Sequence, residues 1–223
     1  MDRYVTVEQF VALVKKIVYG SQGEMERIDY DTLPGQEFIS RRTAAGIIHN
    51  VLLCRGEEDE EHMEAAFRLK DLYSCRTCVN HIAQVYAKGI MMEWEPAVFG
   101  VNEKITDKEA GEILMRVKDR QLRRKPEPSV SVGWTTILWQ KAESMLKADR
   151  RILLVDVRSE EEYLQGHREG SVNIPLGMLL KNPYCICADR AAVIFLYCQK
   201  GYKSRIAAGL LAEAGYVDVH VIL

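Results

Sequence analysis

The sequence lacks long apolar segments and has no excess of charge of one sign. No apolar run approaches the roughly 18 residues that a membrane-spanning helix needs. The short apolar stretch near the N-terminus is interrupted by Lys15 and Lys16, and no small-residue cleavage site follows it, so it does not resemble a signal peptide. Thirty basic and 32 acidic side chains give a net charge of -2, without an extended basic patch for nucleic acid. The sequence therefore predicts a cytoplasmic protein with neither a membrane nor a nucleic-acid partner.

Cysteine is sparse and irregularly placed. The chain has 6 cysteines in 223 residues, which is unlike the dense, paired spacing of a secreted disulfide framework. A reducing compartment fits this pattern, so each cysteine is weighed as a core residue, a ligand or a nucleophile. Hydrophobic residues at 48% and charged residues at 28% are typical of a globular chain with one large domain or two small ones.

The clearest boundary lies at residues 118–130. Basic residues crowd this segment, and Pro126 and Pro128 disfavour a continuing helix while favouring an extended linker. The hydrophobic periodicity is helical upstream, whereas short apolar runs alternate with helical patterns downstream. We therefore expect an all-α domain over residues 1–120, a linker over 121–130 and an α/β domain over 131–223.

The N-terminal half contains a weak internal repeat. Each of three segments begins with a β-branched residue and a hydroxyl residue, followed by apolar positions at helical spacing; they start at Val5, Ile39 and Ile105. Thr6 with Gln9, and Thr106 with Glu109, fit the capping box at a helix N-terminus. A further helix is expected over residues 71–91, with Gly89 at its C-terminal end.

These features resemble the S-layer homology (SLH) module, best over residues 71–117, where the segments AKGIM and FGVNEKIT fall between two helices. The resemblance implies an all-α SLH-like repeat domain. Such modules usually hold secreted proteins to cell-wall glycans through a Thr-Arg-Ala-Glu-like segment. The matching positions here read Thr106-Asp107-Lys108-Glu109, Ser40-Arg41-Arg42-Thr43 and Thr6-Val7-Glu8-Gln9, and none keeps the full pattern. A helical scaffold that docks a protein partner is therefore favoured over binding to a wall polymer.

The C-terminal half has the pattern of a parallel α/β domain. Apolar strand-like runs occupy residues 152–155, 191–197 and 217–223, and helical segments separate them. A helix is expected over residues 135–148, and a loop around Asn173 and Pro175.

Cys198 lies where a cysteine can be reactive. It follows an apolar strand and precedes a helix by one short loop, so backbone N–H groups and the positive end of the helix dipole favour its thiolate form. Lys200 and Lys203 supply nearby cations, and Gly201 permits a tight turn. The alternative is an inert cysteine buried at the end of a strand.

An ordered set of motifs in this half resembles the rhodanese, or sulfurtransferase, domain. The set comprises Asp156-Val157-Arg158, Gly166-His167, Gly170, Asn173-Ile174-Pro175 and the loop CQKGYKS that starts at Cys198. The resemblance implies an α/β rhodanese-like parallel-sheet domain in which Cys198 takes sulfane sulfur from a donor such as thiosulfate or a persulfide. The Cys198 persulfide would pass that sulfur to cyanide or a thiol, without a cofactor or a metal.

The resemblance also assigns roles to further residues. The substrate-binding loop would comprise Gln199, Lys200, Gly201, Tyr202, Lys203 and Ser204. Arg158 would border the pocket with the Gly166-His167 turn, and Asp156 and His167 would be structural supports.

The sequence departs from related patterns at three places. Lys203 stands where many rhodanese loops carry Arg, and Leu223 is not followed by the usual Gly-Gly-x-x-x-Trp segment and final helix. Phosphatases and arsenate reductases with this fold need Arg six positions after the cysteine, where this chain has Ser204. Phosphatase chemistry is therefore disfavoured. A non-catalytic rhodanese-like docking or sensing module, anchored by the SLH-like domain, is the alternative to an enzyme.

Cys75 and Cys78 form a Cys-x-x-Cys motif with three interpretations. Core packing on the face of a helix is favoured, followed by a redox pair that receives or resolves sulfur from Cys198. A zinc site is the weakest interpretation, because only Cys54 and His62 are available as nearby additional ligands.

Overall fold

The computed structural model describes residues 3–20, 37–57, 63–126 and 133–223. The chain divides into two compact units, Met1–Pro128 and Ser129–Leu223. Residues 127–130 of the predicted linker lie outside the described ranges, so the extent of this linker stays a prediction. No helix in the described part of the chain is long and apolar enough to cross a membrane.

The N-terminal unit contains helices and short 3-10 turns. Its α-helices are α1 (Val7–Val14, continued by a π-helical turn at Lys15–Tyr19), α2 (Arg41–Cys54), α3 (Val79–Ala87) and α4 (Asp107–Lys118). The 3-10 turns are Met63–Arg68, Leu72–Ser74, Arg76–Cys78 and Arg120–Leu122. The helix expected over residues 71–91 is wrong in extent, because its first part consists of 3-10 turns and only Val79–Ala87 is α-helical. Gly89 follows α3 with a φ of 66°, a left-handed conformation that favours glycine.

The three repeat starts meet in a ring of backbone hydrogen bonds. The Val5 N–H donates to the Ile105 carbonyl (3.0 Å), the Ile39 N–H to the Val5 carbonyl (2.9 Å), and the Ile105 N–H to the Ile39 carbonyl (3.1 Å). All three side chains are buried. Because each β-branched residue holds the same position in the ring, the repeat in the sequence corresponds to an equivalent placement in the structure.

The helix caps that follow the ring differ from one another. Thr6 and Gln9 form the predicted reciprocal capping box. Thr106 accepts from the Glu109 N–H at 3.2 Å, but the Glu109 carboxylate pairs with Arg41. Arg41 is buried and also donates to the Phe99 carbonyl at 2.6 Å, and burial lowers its pKa to about 10. A long-range ion pair therefore replaces the second half of this capping box.

The C-terminal unit is the predicted parallel α/β domain. Its strands are β1 (Thr135–Ile137), β2 (Leu153–Asp156), β3 (Val172–Asn173), β4 (Val193–Tyr197) and β5 (Asp218–Ile222). They pair in the order β1-β5-β4-β2-β3, and every neighbouring pair is parallel. Its helices are α5 (Trp139–Ala148), α6 (Glu160–Gln165), α7 (Leu176–Lys181) and α8 (Tyr202–Glu213).

Two sequence predictions for this unit need correction. The expected helix over 135–148 begins with strand β1, because Thr135 to Ile137 pair with the end of β5 before the helix starts at Trp139. Asn173, expected in a loop, pairs with Asp156 as part of the two-residue strand β3. Such short edge strands depend on a neighbour's backbone and leave almost no periodic signal in the sequence.

The hydrophobic core of this unit fixes the carboxyl end of β4 in place. Ile194, Phe195 and Leu196 are fully buried in the central strand β4. Helix α8, which follows β4, buries Ile206 and Leu211. The loop between β4 and α8 therefore joins two elements that are each fixed by burial.

Candidate active site

Cys198 lies at the carboxyl end of β4, in the loop that leads to α8. The Gly201 N–H points at its Sγ at 3.1 Å. Gly201 precedes α8 with a φ of 86°, a left-handed conformation that a residue with a Cβ adopts at a cost. The turn at Gly201 therefore aims a backbone donor at the sulfur at the N-terminal end of a 12-residue helix.

Ser204 provides a hydroxyl beside the same sulfur. Its Oγ lies 3.5 Å from Cys198 Sγ and donates to the Gly201 carbonyl at 2.9 Å. The Ser204 side chain is fully buried. Because a hydroxyl proton rotates to suit its acceptors, Ser204 can accept from the thiol or donate to the thiolate.

An open cavity of about 660 Å³ adjoins the half-buried Cys198. Its lining residues come from the ends of β2, α6 and β4 and the loops after them: Arg158, Glu162, Gln165, Gly166, His167, Arg168, Tyr197, Cys198 and Gln199. Cavities at the carboxyl ends of parallel strands are the usual ligand sites of α/β folds.

The predicted site residues divide into two groups. Cys198, Gln199, Arg158 and His167 lie together around the cavity. The remaining loop residues are not part of its lining: Lys200, Gly201, Tyr202, Lys203 and Ser204. Within that second group, Gly201 and Ser204 still contact Sγ itself, from the side of the helix.

Lys203 faces a carboxylate. Its Nζ lies 3.2 Å from Glu162 Oε2. Hydrogen bonding from the Ser159 N–H, together with Lys203, lowers the pKa of Glu162. The sequence predicts that the Lys203 charge acts at the Cys198 thiol. In the structure, Lys203 instead forms an ion pair with Glu162 and so connects α8 to α6.

Asp156 holds Arg158 at the edge of the cavity. The fully buried Asp156 carboxylate accepts from Arg158 Nε (3.0 Å) and Nη2 (2.6 Å) and from the Arg158 N–H (2.9 Å). Arg158 Nη2 also donates to the Gly166 carbonyl at 2.7 Å. The hydrogen bond to Asp156 raises the pKa of Arg158. This guanidinium is therefore a fixed positive group that links the loops after β2 and α6.

His167 and Arg168 complete the turn after α6. The His167 ring stacks on Tyr163, with ring centroids 3.8 Å apart. The Arg168 guanidinium lies 4.4 Å from the Trp139 ring centroid. Tyr197 accepts from the Arg168 N–H at 3.1 Å through its hydroxyl, and burial raises the pKa of Tyr197.

Sequence reasoning missed four cavity residues, namely Glu162, Gln165, Arg168 and Tyr197. Gln165 and Arg168 flank the Gly166-His167 motif, and Tyr197 directly precedes Cys198, so their chain positions were the available signal. Glu162 lies 36 residues from Cys198 in the chain, and nothing local links the two.

Cys75 and Cys78 form a disulfide just before α3, with their Cα atoms 5.3 Å apart. Both are half-buried and lie at a 3-10 turn, joined to each other, whereas the sequence favours two cysteines packed on the face of a helix. His81 Nδ1 instead lies 2.8 Å from His49 Nδ1, and burial lowers the pKa of both imidazoles. Among the described residues, no group of three or more His, Cys, Asp and Glu side chains is placed to hold a metal ion. His62, weighed as a zinc ligand, lies outside those residues.

Comparison with known proteins agrees with this fold. Residues 138–223 match the family model described as "Rhodanese-like domain". With its parallel sheet and strand-end cysteine, the C-terminal unit is thus a rhodanese-like domain. The match starts at residue 138, so the SLH resemblance of residues 1–120 stays a prediction.

Individual relatives are similar to part of the chain. Thiosulfate sulfurtransferase PspE of Escherichia coli (strain K12) is 35% identical over 65 residues, which are 29% of this chain and 62% of PspE. Uncharacterized protein YqhL of Bacillus subtilis (strain 168) is 35% identical over 71 residues, 32% of this chain and 55% of YqhL. The structure of the human single-domain sulfurtransferase TSTD1 aligns with a TM-score of 0.35 and 27% identity, over 39% of this chain and 87% of that chain. The chain spans less than two thirds of the length of PspE and of YqhL.

Proposed function

We propose that the C-terminal unit is a sulfurtransferase that carries sulfane sulfur as a persulfide on Cys198. The observation that supports this most directly is the Gly201 N–H aimed at Cys198 Sγ beside an open, arginine-bordered cavity. A rhodanese-like domain over residues 138–223, and a relative named as the thiosulfate sulfurtransferase PspE, agree with this class of reaction.

The reaction consists of two displacements at sulfur. The Cys198 thiolate attacks the outer sulfur of thiosulfate, the bond between the two sulfur atoms of the donor breaks, and sulfite leaves with the bonding electrons. Cyanide or a thiolate then attacks the outer sulfur of the persulfide, and Cys198 leaves as a thiolate. Neither displacement needs a general base once the thiol is ionised.

The site's polar groups serve the anionic states of this cycle. The Gly201 N–H and the Ser204 hydroxyl are placed to stabilise the thiolate before attack and after release. Arg168, at the cavity wall, attracts an anionic donor, whereas the guanidinium of Arg158 is already engaged by Asp156. This arrangement favours thiosulfate or another negatively charged sulfane donor.

For the N-terminal unit we propose a scaffold that docks a protein partner in the cytoplasm. Arg41 stands at the position of the arginine in the Thr-Arg-Ala-Glu-like segment through which SLH modules usually hold glycans. Here it is buried and paired with Glu109, so it is committed to the fold. The proposal would be contradicted if the protein co-purified with a cell-wall polymer, or if proximity labelling placed it at the wall.

The mass of the intact protein tests the sulfur-transfer proposal. The reduced protein is incubated with thiosulfate and weighed before and after cyanide is added. We expect a gain of one sulfur atom that is absent from Cys198→Ala and that cyanide removes with release of thiocyanate. Cys185→Ser, which removes an exposed cysteine, is the matched control and should behave like the wild type. If reduced protein gains no sulfur from any sulfane donor, the domain is instead a non-catalytic docking or sensing module.

A further inference from the structure

A second sulfur centre lies in the N-terminal unit, where Cys75 and Cys78 close a disulfide across two intervening residues. Both cysteines are half-buried, so neither residue is enclosed in the core. The fully buried neighbours Leu72 and Val79 supply the local hydrophobic packing. The pair therefore lies at the border of the core and not within it.

A disulfide that closes so short a loop contributes little to the free energy of unfolding. Cross-links stabilise proteins mainly by restricting the unfolded chain, and the effect is smallest for the shortest loops. Segments next to the pair are already held by other contacts, because the Asp71 carboxylate accepts from the N–H groups of Phe99 (2.7 Å), Gly100 (2.8 Å) and Val101 (3.0 Å). Chemical reactivity is the better explanation for two cysteines at this position.

The surroundings of the pair favour a thiolate when the disulfide is reduced. Cys78 is the N-cap residue of α3, a nine-residue helix whose N-terminus receives no side-chain cap. The Thr77 hydroxyl lies 3.6 Å from Cys75 Sγ and 3.9 Å from Cys78 Sγ. The positive end of the helix dipole stabilises an anionic sulfur at such a position.

We propose that Cys75 and Cys78 form a redox site that, as a dithiol, removes the outer sulfur of a persulfide and releases it as sulfide. The Cys78 thiolate attacks the outer sulfur of the persulfide and the donor thiolate leaves. The Cys75 thiolate then attacks Cys78 Sγ, hydrosulfide leaves, and the disulfide forms. The two electrons of the dithiol reduce the sulfane sulfur, and the two thiol protons leave with the donor thiol and the sulfide. An external dithiol reductant restores the reduced pair by thiol–disulfide exchange.

The assignment of a cellular persulfide donor rests on the proposed function, because the Cys198 persulfide would be one such donor. The chemistry at Cys75 and Cys78 is tested without it, in the full-length Cys198→Ala variant. This variant is reduced, freed of reductant without air and mixed with glutathione persulfide in a single turnover. Sulfide release and intact mass are then measured together.

The expected result is a rapid release of one sulfide per chain with loss of two hydrogen atoms from the protein. Adding Cys185→Ser should leave this release unchanged. Adding Cys75→Ser should stop it and leave one extra sulfur on Cys78, whereas adding Cys78→Ser should stop it with little sulfur retained. Circular dichroism before mixing identifies any variant that has not folded.

The proposal is overturned if the folded Cys198→Ala protein keeps both thiols reduced in the presence of the persulfide. It is equally overturned if the Cys75→Ser and Cys78→Ser backgrounds release sulfide at the same rate. Failure of the thiosulfate experiment on the wild type would remove Cys198 as a donor but would not alter either of these results.

Discussion

Gly201→Ala tests whether the backbone amide at the active-site loop activates Cys198. Gly201 has a φ of 86°, and a Cβ there would lie 3.1 Å from the flexible end of Arg205. A left-handed alanine costs about 1–2 kcal/mol in unfolding free energy. If the backbone relaxes to avoid this cost, the Gly201 N–H turns away from Sγ. A hydrogen bond to a charged group contributes about 1.5–3 kcal/mol, so alkylation at Cys198 Sγ should slow about tenfold or more.

Gly215→Ala is the matched control, because Gly215 has a φ of 90° in the same unit and no atom near its added Cβ. Both variants should lose similar stability in urea unfolding, but only Gly201→Ala should react more slowly with iodoacetamide at Cys198. The rate is followed by mass spectrometry of the Cys198 peptide at neutral pH. An unchanged rate in Gly201→Ala, with stability lowered as in Gly215→Ala, would refute the role assigned to the amide.

Three further predictions concern other groups. Arg168→Gln should slow alkylation of Cys198 by anionic iodoacetate, relative to neutral iodoacetamide, by about two- to fivefold, since exposed charge pairs contribute up to ~1 kcal/mol; an unchanged ratio contradicts its role in attracting anions. Asp156→Asn should lower the unfolding free energy by about 3 kcal/mol, because it leaves the Arg158 charge without its buried partner; a chemical denaturation midpoint equal to that of the wild type argues against this. Burial and the neighbouring His81 lower the pKa of His49 from 6.5 to about 4, so the unfolded chain binds a proton that the folded chain does not. Unfolding free energy should therefore fall by about 3 kcal/mol from pH 7 to pH 4. His49→Gln should flatten that decline in calorimetry, and an equally steep decline in the variant would contradict the assignment.

The parts of the fold with strong local patterns were predictable. The apolar runs that became β2, β4 and β5 have the length and composition of buried parallel strands, and the structure confirms them. The capping box at Thr6 and Gln9 was predictable for the same reason, since it involves residues three apart. Segments with weak local patterns were predicted incorrectly. Thr135 to Ile137, for example, were expected in a helix but form β1 by pairing with β5.

The candidate site was only partly predictable. The position of Cys198 and the turn at Gly201 follow from chain order and from the freedom of glycine at positive φ. The pairing of Lys203 with Glu162 does not, because the two residues are far apart in the chain and only the tertiary fold brings their side chains together. Arg168 is next to the Gly166-His167 motif in the chain, but its placement against the Trp139 ring follows only from the tertiary fold.

By itself, the sequence determined that the apolar runs of β2, β4 and β5 form strands, and that Cys198 stands between a buried strand and a helix. Those features depend on neighbours a few residues apart, whose spacing along the backbone is fixed. The tertiary structure alone decided that Arg41 closes an ion pair with Glu109 and that Asp156 fixes Arg158 at the cavity edge. Charged side chains are long and find partners wherever the packed backbone brings opposite charge within reach. Their pairing is therefore a property of the assembled fold.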